Sequence, residues 1–320
     1  MRKIGVLTSG GDAPGMNAAI RSVVRCAIDK NIEVYGISRG YEGLLEGEIE
    51  ELKRNSVGDI LHRGGTVLKT ARSKHFRSKE GVKHAKTMLD TFGIEGLVVI
   101  GGDGSLHGGL DLARLGIPVM GIPGTIDNDL GYTDFTIGFD TAVSTVLDAI
   151  SKLRDTSSSH DRTTVIEVMG RHCGDIALYS ALAGGAESVL IPELPYDLNE
   201  ICKKIVIGSN RNKQHSIIIK AEGVDISSQK LTEEIEKNTG IQARLVVLSY
   251  LQRGGVPTTQ DRILATLMGA KAVDLLAEGS ESKAIGLVDG KIVAYDLEEA
   301  LEQKREFKKD IYELIGILSK

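Results

Sequence analysis

The sequence is poor in residues that cross-link a chain or anchor it in a membrane interface. It contains no tryptophan, aromatic residues make up only 4% of its 320 residues, and there are just three cysteines. Cys26, Cys173 and Cys202 are widely spaced and form no Cys-x-x-Cys pair. This pattern excludes a disulfide framework and a zinc site with the usual ligand spacing. We expect three reduced, structural thiols in a cytoplasmic protein.

The chain also lacks a long hydrophobic run and a surplus of positive charge. No stretch approaches the roughly 20 apolar residues that span a membrane. The formal net charge is −5, whereas proteins that bind a phosphate backbone usually carry a basic surplus. We therefore expect no membrane partner and no nucleic-acid partner. The composition that remains, with 41% hydrophobic and 26% charged residues, is typical of a globular protein, and the length allows two domains.

Two strand-like segments end in glycines and acidic residues. The apolar segment 117–122 runs into Pro-Gly-Thr-Ile-Asp-Asn-Asp, which places Thr125 beside Asp127 and Asp129, and the segment 97–100 runs into Gly-Gly-Asp-Gly-Ser, whose acid is Asp103. Open α/β sheets bind ligands at such strand ends. Glycine lets backbone amides approach phosphate oxygens, and carboxylates hold Mg²⁺. Either turn alone could be an ordinary connection, but the pair predicts a phosphate and metal site.

The rest of the chain alternates between strand and helix patterns. The first part predicts strands at 4–7, 33–37, 97–100 and 117–122, helices at 19–28, 79–92 and 107–114, and a glycine-rich acidic loop through position 47. After a helix at 141–153, the polar run 154–162 is either a linker or a binding loop. The alternation then restarts, with strands at 164–168, 188–191, 215–221 and 245–251 and helices at 176–182 and 258–277. This order predicts an α/β protein of two lobes with mainly parallel sheets.

Two familiar phosphate-binding motifs are incomplete. Gly10 and Gly15 have the glycine spacing of a P-loop, but Met16 and Asn17 stand where lysine and a hydroxyl residue are required. A dinucleotide fingerprint starting at Gly102 likewise fails, because His107 replaces its third glycine. A helix that begins after each turn still offers free N–H groups and a positive dipole end to an anion. The prediction of phosphate binding therefore does not depend on either motif being complete.

Five segments, taken together and in order, resemble the signatures of the bacterial ATP-dependent 6-phosphofructokinase family. They are Thr-Ser-Gly-Gly-Asp-Ala-Pro-Gly-Met-Asn-Ala at 8–18, Gly-Gly-Asp-Gly-Ser at 101–105, Pro-Gly-Thr-Ile-Asp-Asn-Asp at 123–129, Met-Gly-Arg at 169–171 and Gln-Arg-Gly-Gly at 252–255. The resemblance runs essentially from end to end. Any one segment would be weak, but five in order leave a negligible chance of coincidence.

The resemblance implies a fold and an activity. The activity is transfer of the γ-phosphoryl group of ATP to the 1-hydroxyl of fructose 6-phosphate, with Mg²⁺ as cofactor, which gives fructose 1,6-bisphosphate and ADP in the committed step of glycolysis. The fold is a pair of three-layer α/β lobes with mainly parallel sheets. Residues 1–138 and 251–301 would form the ATP-binding lobe, and residues 139–250 and 302–320 the fructose 6-phosphate-binding lobe. The family also implies a cytoplasmic homotetramer.

By the same resemblance, the acids and arginines take separate roles in phosphoryl transfer. Asp127 accepts the proton of the sugar hydroxyl, and Thr125 hydrogen-bonds the transferring group. Arg72 and Arg171 spread positive charge over the transition state. The metal carboxylate is Asp103, and Asp129 orders the metal's water molecules. The implied ATP-binding residues are Gly11, Tyr41, Arg72, Ser73, Gly102, Asp103, Gly104 and Ser105.

The implied sugar-phosphate site draws on many parts of the chain. Its residues are Thr125, Ile126, Asp127, Arg162, Met169, Gly170, Arg171, Glu222, Arg244, Tyr250 and Arg253. In the family the counterparts of Arg162 and Arg244 reach in from a neighbouring subunit, so the active site is shared. One position departs from the pattern, since the family usually has Leu-Gly-His where this chain has Leu-Ser-Tyr, ending at Tyr250. We expect this change to alter the affinity for fructose 6-phosphate.

The resemblance also implies an effector site between subunits. From spacing alone, Arg21 and Arg25 would be the solvated face of an amphipathic helix. The matching family positions are Arg21, Arg25, Arg54, Asp59, Arg154, Gly185, Glu187, Arg211, Lys213 and His215. ADP as activator and phosphoenolpyruvate as inhibitor are the implied ligands. Glu187 suits a Mg²⁺-bound diphosphate and would repel a carboxylated inhibitor.

Three other functions compete with this one. A pyrophosphate-dependent phosphofructokinase resembles this chain but carries an acid after Gly-Gly-Asp and a lysine before Thr-Ile-Asp, where this chain has Gly104 and Gly124. An NAD-kinase or lipid-kinase relative shares Gly-Gly-Asp-Gly but lacks the Met-Gly-Arg sugar motif. A non-catalytic sugar-phosphate sensor would be expected to have lost the base or the metal ligand, whereas Asp127 and Asp103 are both present.

Overall fold

The computed structural model describes residues 1–319, which fall into two compact units. The first unit comprises residues 1–126, 130–141 and 253–305. The second comprises residues 127–129, residues 142–252 and the chain from Glu306 onward. The expected lobes placed residues 127–129 with the first part of the chain, and here these three residues group with the second unit.

Residues 1–319 form twelve strands and eleven α-helices. The strands are β1 (Lys3–Ser9), β2 (Glu33–Ile37), β3 (Ile49–Leu52), β4 (Gly96–Gly101), β5 (Val119–Thr125), β6 (Ile137–Gly138), β7 (Arg162–Val168), β8 (Ser188–Leu190), β9 (His215–Ala221), β10 (Ala243–Val247), β11 (Lys283–Val288) and β12 (Lys291–Asp296). The helices are α1 (Met16–Asp29), α2 (Gly40–Glu46), α3 (Lys79–Phe92), α4 (Asp103–Ala113), α5 (Phe139–Ser158), α6 (Asp175–Gly184), α7 (Leu198–Asn210), α8 (Ser228–Thr239), α9 (Thr259–Ala277), α10 (Leu297–Glu302) and α11 (Lys309–Leu318). A 3₁₀ helix covers Ser249–Arg253.

The first unit is built on an eight-stranded sheet. Its strand order is β12-β11-β5-β4-β1-β2-β3, with β6 added beside β5. All pairs are parallel except the two at the edges, β2 with β3 and β11 with β12. The central strand β4 is buried at every position, as expected where both faces of a parallel sheet are covered. Its apolar side chains join those of β1, β5 and α4 in one core cluster.

The second unit contains a smaller, wholly parallel sheet in the order β10-β7-β9-β8. Strand β9 is buried from Ser216 to Ala221. The predicted α/β class with mainly parallel sheets is therefore confirmed. Among residues 1–319, no helix is both long and apolar enough to cross a membrane.

Three local predictions were wrong. The expected glycine-rich loop after β2 contains helix α2, which is stabilised by burial of Tyr41 and Leu44 in spite of the poor helix propensity of glycine. The polar run 154–162 continues α5 as far as Ser158, because its serines bond within the second unit; the hydroxyl of Ser157, for example, lies 2.7 Å from that of Thr164. The strand expected at 245–251 ends at Val247, and the 3₁₀ helix follows it.

Candidate active site

Three neighbouring strands of the first unit bring their glycine-rich turns to one edge. The register pairs Ser9 of β1 with Gly101 of β4, and Gly101 with Pro123 of β5. Because the three strands are parallel, the turns that follow them lie side by side. Strand β5 is longer than predicted and runs through Gly124 to Thr125, which is 8% exposed. The structure thus brings together the first three of the five sequence motifs, as far as Ile126.

Two helices begin at this edge without a capping side chain. Helix α1 starts after Gly15 and α4 after Gly102, and no side chain of either cap accepts a hydrogen bond from the helix. The first N–H groups of such a helix have no partner within the helix and favour an anion. The carbonyl oxygen of Gly102 accepts the N–H groups of Ser105 and Leu106, and this leaves the N–H groups of Asp103 and Gly104 as the ones available at the helix start.

Glycine is required where these turns meet. Gly10 has φ +85°, in the left-handed region, and a Cβ atom there would lie 3.0 Å from the hydroxyl oxygen of Ser105. A Cβ atom on Gly102 would lie 3.3 Å from Cβ of Thr125. A larger residue at either position would crowd the neighbouring turn, so glycine keeps the three turns and the Thr125 side chain close together.

Arg253 lies against the turn that follows β1. A Cβ atom on Gly11 would overlap its guanidinium and come within 2.9 Å of Cζ. Nη1 of Arg253 donates to the carbonyl oxygen of Asp12 at 3.3 Å. The resemblance assigned Arg253 to the sugar phosphate, and the structure groups it with the first unit and with Gly11, a residue assigned to ATP.

Tyr41 is a buried residue rather than an open surface contact. Its ring stacks on Phe76 with centroids 4.0 Å apart, and its hydroxyl donates to the carbonyl oxygen of Ser105 at 2.6 Å. Burial raises the pKa of this phenol above its usual range, so it stays a hydrogen-bond donor. Tyr41 therefore holds the first turn of α4 in place through this hydrogen bond. Ser73 lies three positions before Phe76, and its hydroxyl accepts the N–H of Phe76 at 3.1 Å.

The side chains of Asp103 and Arg72 are exposed. Asp103 begins α4, and its Oδ1 lies 3.3 Å from Nδ1 of His107, one helical turn later. A carboxylate in the first turn also suits the positive end of the helix dipole. Sequence reasoning assigned no role to His107, whose spacing from Asp103 was the available signal.

In the second unit, the residues Asp127 and Asp129 flank a buried anchor. Asn128 is fully buried with φ 53°, and its side-chain amide donates to Oδ2 of Asp175 at 2.8 Å. Asp175 is the first residue of α6. This bond holds the two carboxylates to the second unit and explains why residues 127–129 group there. Sequence reasoning missed both Asn128 and Asp175, because the two lie 47 positions apart.

The Met-Gly-Arg segment and Glu222 leave the second sheet at adjacent strand ends. After the last β7–β9 pair, the N–H of Glu222 donates to the carbonyl oxygen of Val168 at 2.9 Å, and the N–H of Gly223 to that of Gly170 at 3.2 Å. The N–H of Met169 donates to Oε1 of the buried Gln252 at 3.2 Å. Predicted sugar-binding residues 169–171 and 222 are thus brought together at the carboxyl end of the sheet.

Arg162 and Arg244 lie at the other end of the same sheet. Arg162 begins β7, and Arg244 is the second residue of β10, paired with Thr164 near the start of β7. Val168 ends β7, so the strand separates the arginines from the Met-Gly-Arg segment by roughly 20 Å. Within one chain, the structure therefore does not bring these two arginines to the sugar-binding residues. Tyr250, in the 3₁₀ helix, is 77% exposed.

The expected effector residues divide between the units. Arg21, Arg25, Arg54 and Asp59 belong to the first, and Arg154, Gly185, Glu187, Arg211, Lys213 and His215 to the second. In the second unit, Nη2 of Arg154 donates to the Gly184 and Gly185 carbonyl oxygens at 2.5 and 3.2 Å. The buried Glu187 carboxylate pairs with Lys213 and accepts the N–H of Ile217. Burial lowers the pKa of His215, whose Nδ1 lies 2.7 Å from the Ser158 hydroxyl.

Parallel sheets with uncapped helices, glycine turns and exposed acids at their strand ends are typical of an α/β protein that binds phosphate groups. The Phosphofructokinase family profile matches residues 3–276. The chain belongs to the phosphofructokinase family, and the resemblance carried by the five motifs is confirmed.

The relatives agree with this assignment. ATP-dependent 6-phosphofructokinases of Clostridium tetani and Clostridium acetobutylicum are 58% and 57% identical to this chain, each aligned over 100% of both sequences. The structure of phosphofructokinase from Saccharomyces cerevisiae matches with a TM-score of 0.91 and 32% identity over 98% of this chain, which spans 50% of that longer chain. A pyrophosphate-dependent phosphofructokinase from Marinobacter aquaeolei has a TM-score of 0.85 at 21% identity, covering 98% of this chain and 91% of its own, and shares the fold.

Proposed function

We propose that this chain is an ATP-dependent 6-phosphofructokinase, which transfers the γ-phosphoryl group of ATP to the 1-hydroxyl of fructose 6-phosphate. The observation that carries the proposal is the edge of the first sheet, where the turn after β1, the start of α4 and Thr125 lie together. In a member of this family, that arrangement suits a nucleotide triphosphate chain. The proposed location is the cytoplasm.

In this proposal, the chain's own residues position the reactants and move one proton. Asp127 takes the proton of the 1-hydroxyl as that oxygen bonds to the γ-phosphorus, and the bond from phosphorus to the β–γ bridging oxygen breaks, so ADP leaves. The Thr125 hydroxyl donates to the transferring group. Its backbone is fixed because its carbonyl oxygen accepts the hydroxyl of Thr136 at 2.6 Å. Arg72 and Arg171, both exposed, balance the charge of the transition state.

The acids suit Mg²⁺ as the cofactor. Mg²⁺ prefers oxygen ligands and is usually held by one or two carboxylates together with substrate phosphates and water. Asp103 offers an exposed carboxylate beside N–H groups that suit phosphate oxygens. Mg²⁺ bound there would neutralise charge on the β- and γ-phosphates. In the proposal Asp103 is the direct ligand, and Asp129 acts through water.

The choice of ATP over pyrophosphate rests mainly on Gly104. A Cβ atom on Gly104 would have no atom within 4 Å, so this position faces open space beside the start of α4. A Cβ atom on Gly124 would lie 3.0 Å from Ile100 and 3.1 Å from Met16. Packing alone therefore favours glycine at 124, whereas glycine at 104 leaves space that a nucleotide can use.

We also propose the homotetramer, with active sites and effector sites shared between subunits. The separation of Arg162 and Arg244 from residues 169–171 within one chain supports a site completed by a neighbour. ADP as activator and phosphoenolpyruvate as inhibitor are proposed from the complete effector set. If fructose 6-phosphate saturation curves were identical with and without ADP, the activator would have to be withdrawn.

The proposed reaction is tested by following its products with ³¹P nuclear magnetic resonance. The wild-type enzyme with Mg²⁺, ATP and fructose 6-phosphate should form ADP and fructose 1,6-bisphosphate in equal amounts. Asp127→Asn should lower kcat by about a thousandfold or more, because the proton acceptor is lost. Asp161→Asn is a matched control on an exposed carboxylate and should retain activity. ADP formed without sugar bisphosphate would contradict the proposal.

A further inference from the structure

A lysine side chain is almost completely buried in the second unit. Lys220 lies on β9 between Ile219 and Ala221 and is 1% exposed. The neighbouring positions from Ile217 are apolar and fully buried. Removing an ammonium group from water is costly unless it is paired and hydrogen-bonded. The partners of Lys220 should therefore indicate why the charge is retained.

The ammonium group of Lys220 contacts two oxygen atoms. Its Nζ donates to the carbonyl oxygen of Ala221 at 3.2 Å and lies 3.8 Å from Oε2 of Glu167. Glu167 is on β7, directly opposite Lys220 in the parallel register. The hydroxyl of Ser228 donates to the same carboxylate oxygen. The result is a small polar cluster of Lys220, Glu167 and Ser228 between two central strands.

The charge of Lys220 also interacts with a carboxylate at the end of the sheet. Burial lowers the pKa of Lys220, and the Glu167 and Glu222 carboxylates oppose this change by favouring the charged ammonium. Glu222 is only two residues beyond Lys220 and is one of the residues proposed to bind the sugar. Lys220 is thus the cation that both carboxylates act on.

The cluster also lies where the backbone leaves the sheet for the sugar-binding residues. Val168 and Ala221 form the last pair of β7 and β9, one step beyond Glu167 and Lys220. The N–H of Glu222 then donates to the carbonyl oxygen of Val168 at 2.9 Å. Lys220 therefore fixes the carbonyl group whose peptide bond connects directly to Glu222.

Stability alone does not account for such a cluster. Replacing a buried ion pair by apolar residues of similar volume is often neutral or stabilising, because desolvation offsets the attraction. A methionine in place of Lys220 would have nearly the same length and would suit the apolar run. A role in the neighbouring sugar-phosphate site would explain why the charge is retained, whereas packing does not explain it.

We propose that Lys220 is a positioning residue for the sugar-phosphate site: its buried ammonium holds the Ala221 carbonyl and the Glu167 carboxylate, and so sets the direction in which Glu222 and residues 169–171 leave the sheet. This inference rests on the proposed function, which places the sugar on Glu222 and residues 169–171. It adds a residue that touches neither the substrate nor the reacting atoms.

The test compares the kinetics of wild type and Lys220→Met. The KM for fructose 6-phosphate should rise about fivefold or more, because small errors in positioning weaken binding steeply. The KM for ATP should change less than about twofold. The kcat should fall as well, because Arg171 leaves the sheet in the same segment, and the Tm should fall because the Glu167 carboxylate loses its partner. Ile219→Met is the matched control on the same strand and should leave all kinetic constants near those of the wild type. If Lys220→Met does not fold, Lys220→Ile takes its place.

A double variant distinguishes the positioning role of Lys220 from the effect of leaving the Glu167 carboxylate unpaired. In Lys220→Met with Glu167→Gln, Ser228 can still donate to the amide oxygen, and no carboxylate is left unpaired. The raised KM for fructose 6-phosphate should persist. Its return to the wild-type value, or an unchanged KM in Lys220→Met, would overturn the inference while leaving the proposed function intact. A wild-type enzyme that does not phosphorylate fructose 6-phosphate would overturn the proposed function, and the inference with it.

Discussion

Single residues separate positions that look equivalent in the sequence. Gly104 and Gly124 are the two glycines on which the expected choice of ATP over pyrophosphate rested. In the structure Gly124 is enclosed by Ile100 and Met16, whereas Gly104 has open space around it. We therefore link the proposed donor choice most directly to Gly104. A sequence alone gives residue types at the strand ends but not the free volume beside each of them.

Other residues were invisible to sequence reasoning because their partners are far away in the chain. Asn128 depends on Asp175, and Lys220 on Glu167, and neither pair follows a helix or strand period. The acids of the candidate site could be predicted because strand ends and glycine turns are local signals. The residues that hold them in place are distant contacts, which no local pattern encodes.

Tyr250 gives a prediction at this scale. Its side chain is 77% exposed, so a change there should not affect the Tm. Tyr250→His should lower the KM for fructose 6-phosphate severalfold, because a shorter side chain that can carry a positive charge attracts a phosphate more strongly. The effect should be larger at about pH 6 than at about pH 8, since histidine loses its charge over that range. An unchanged or raised KM in initial-rate measurements would reject this role.

At the scale of elements, two periodic helices were predicted closely, whereas α2, α7 and α8 were not predicted. Helix α3 has the predicted bounds, and α9 differs by one residue. Helix α2 was missed because two glycines hide a turn that tertiary packing stabilises. The end of α5 was missed because its serines resemble a loop until their partners across the fold are known. Periodicity reports which face is buried but not where packing extends a helix.

The start of α9 is joined to the start of α5 by a buried carboxylate. Asp261 is 1% exposed and accepts the N–H groups of Gly138 and Thr141 at 2.8 and 2.9 Å. It also accepts the hydroxyl of Thr141 at 2.5 Å, and the oxygen of that hydroxyl accepts the N–H of Thr258 at 3.0 Å. Together these four residues hold the chain around Thr141, where this part of the first unit ends.

Asp261→Asn tests this junction through its pH dependence. Burial raises the pKa of Asp261 to about 6, from the ordinary value of 3.8. The folded state then holds a proton that the unfolded state releases between these values, so this group's contribution to stability falls as the pH rises through about 6. The asparagine variant lacks this titration and leaves a buried donor unpaired, which costs roughly 1–3 kcal/mol. Thermal unfolding should show a lower Tm for the variant at about pH 5 and a smaller difference at about pH 7.5. A difference that grows with pH would contradict the assignment.

At the scale of the whole molecule, one chain carries its proposed sugar-binding residues at opposite ends of β7. Arg162 begins the strand, and Met169 follows its last residue. A strand of this length keeps the two apart whatever the side-chain rotamers. The proposed site, which uses both, would therefore take them from different subunits, which is the arrangement that the family resemblance implied.

Hybrid enzymes test the shared site. Asp127→Asn and Arg162→Ala should each be nearly inactive when expressed alone. Co-expressed in equal amounts, they should recover activity in about a quarter of the sites, because a site formed by Asp127 of one chain and Arg162 of a neighbour can then be intact. Hybrids of Asp127→Asn with inactive Asp127→Ala are the control and should recover none. If the first hybrid stays inactive although the chains co-assemble, the shared site is wrong.

The most direct test of the central claim is a comparison of phosphoryl donors. Initial rates of fructose 1,6-bisphosphate formation are measured with Mg²⁺, fructose 6-phosphate and either ATP or pyrophosphate, for wild type and Gly104→Asp. We predict that wild-type kcat/KM for ATP exceeds that for pyrophosphate by about a hundredfold or more, and that Gly104→Asp loses most of its activity with ATP. Equal or faster turnover of pyrophosphate by the wild-type enzyme would contradict the account.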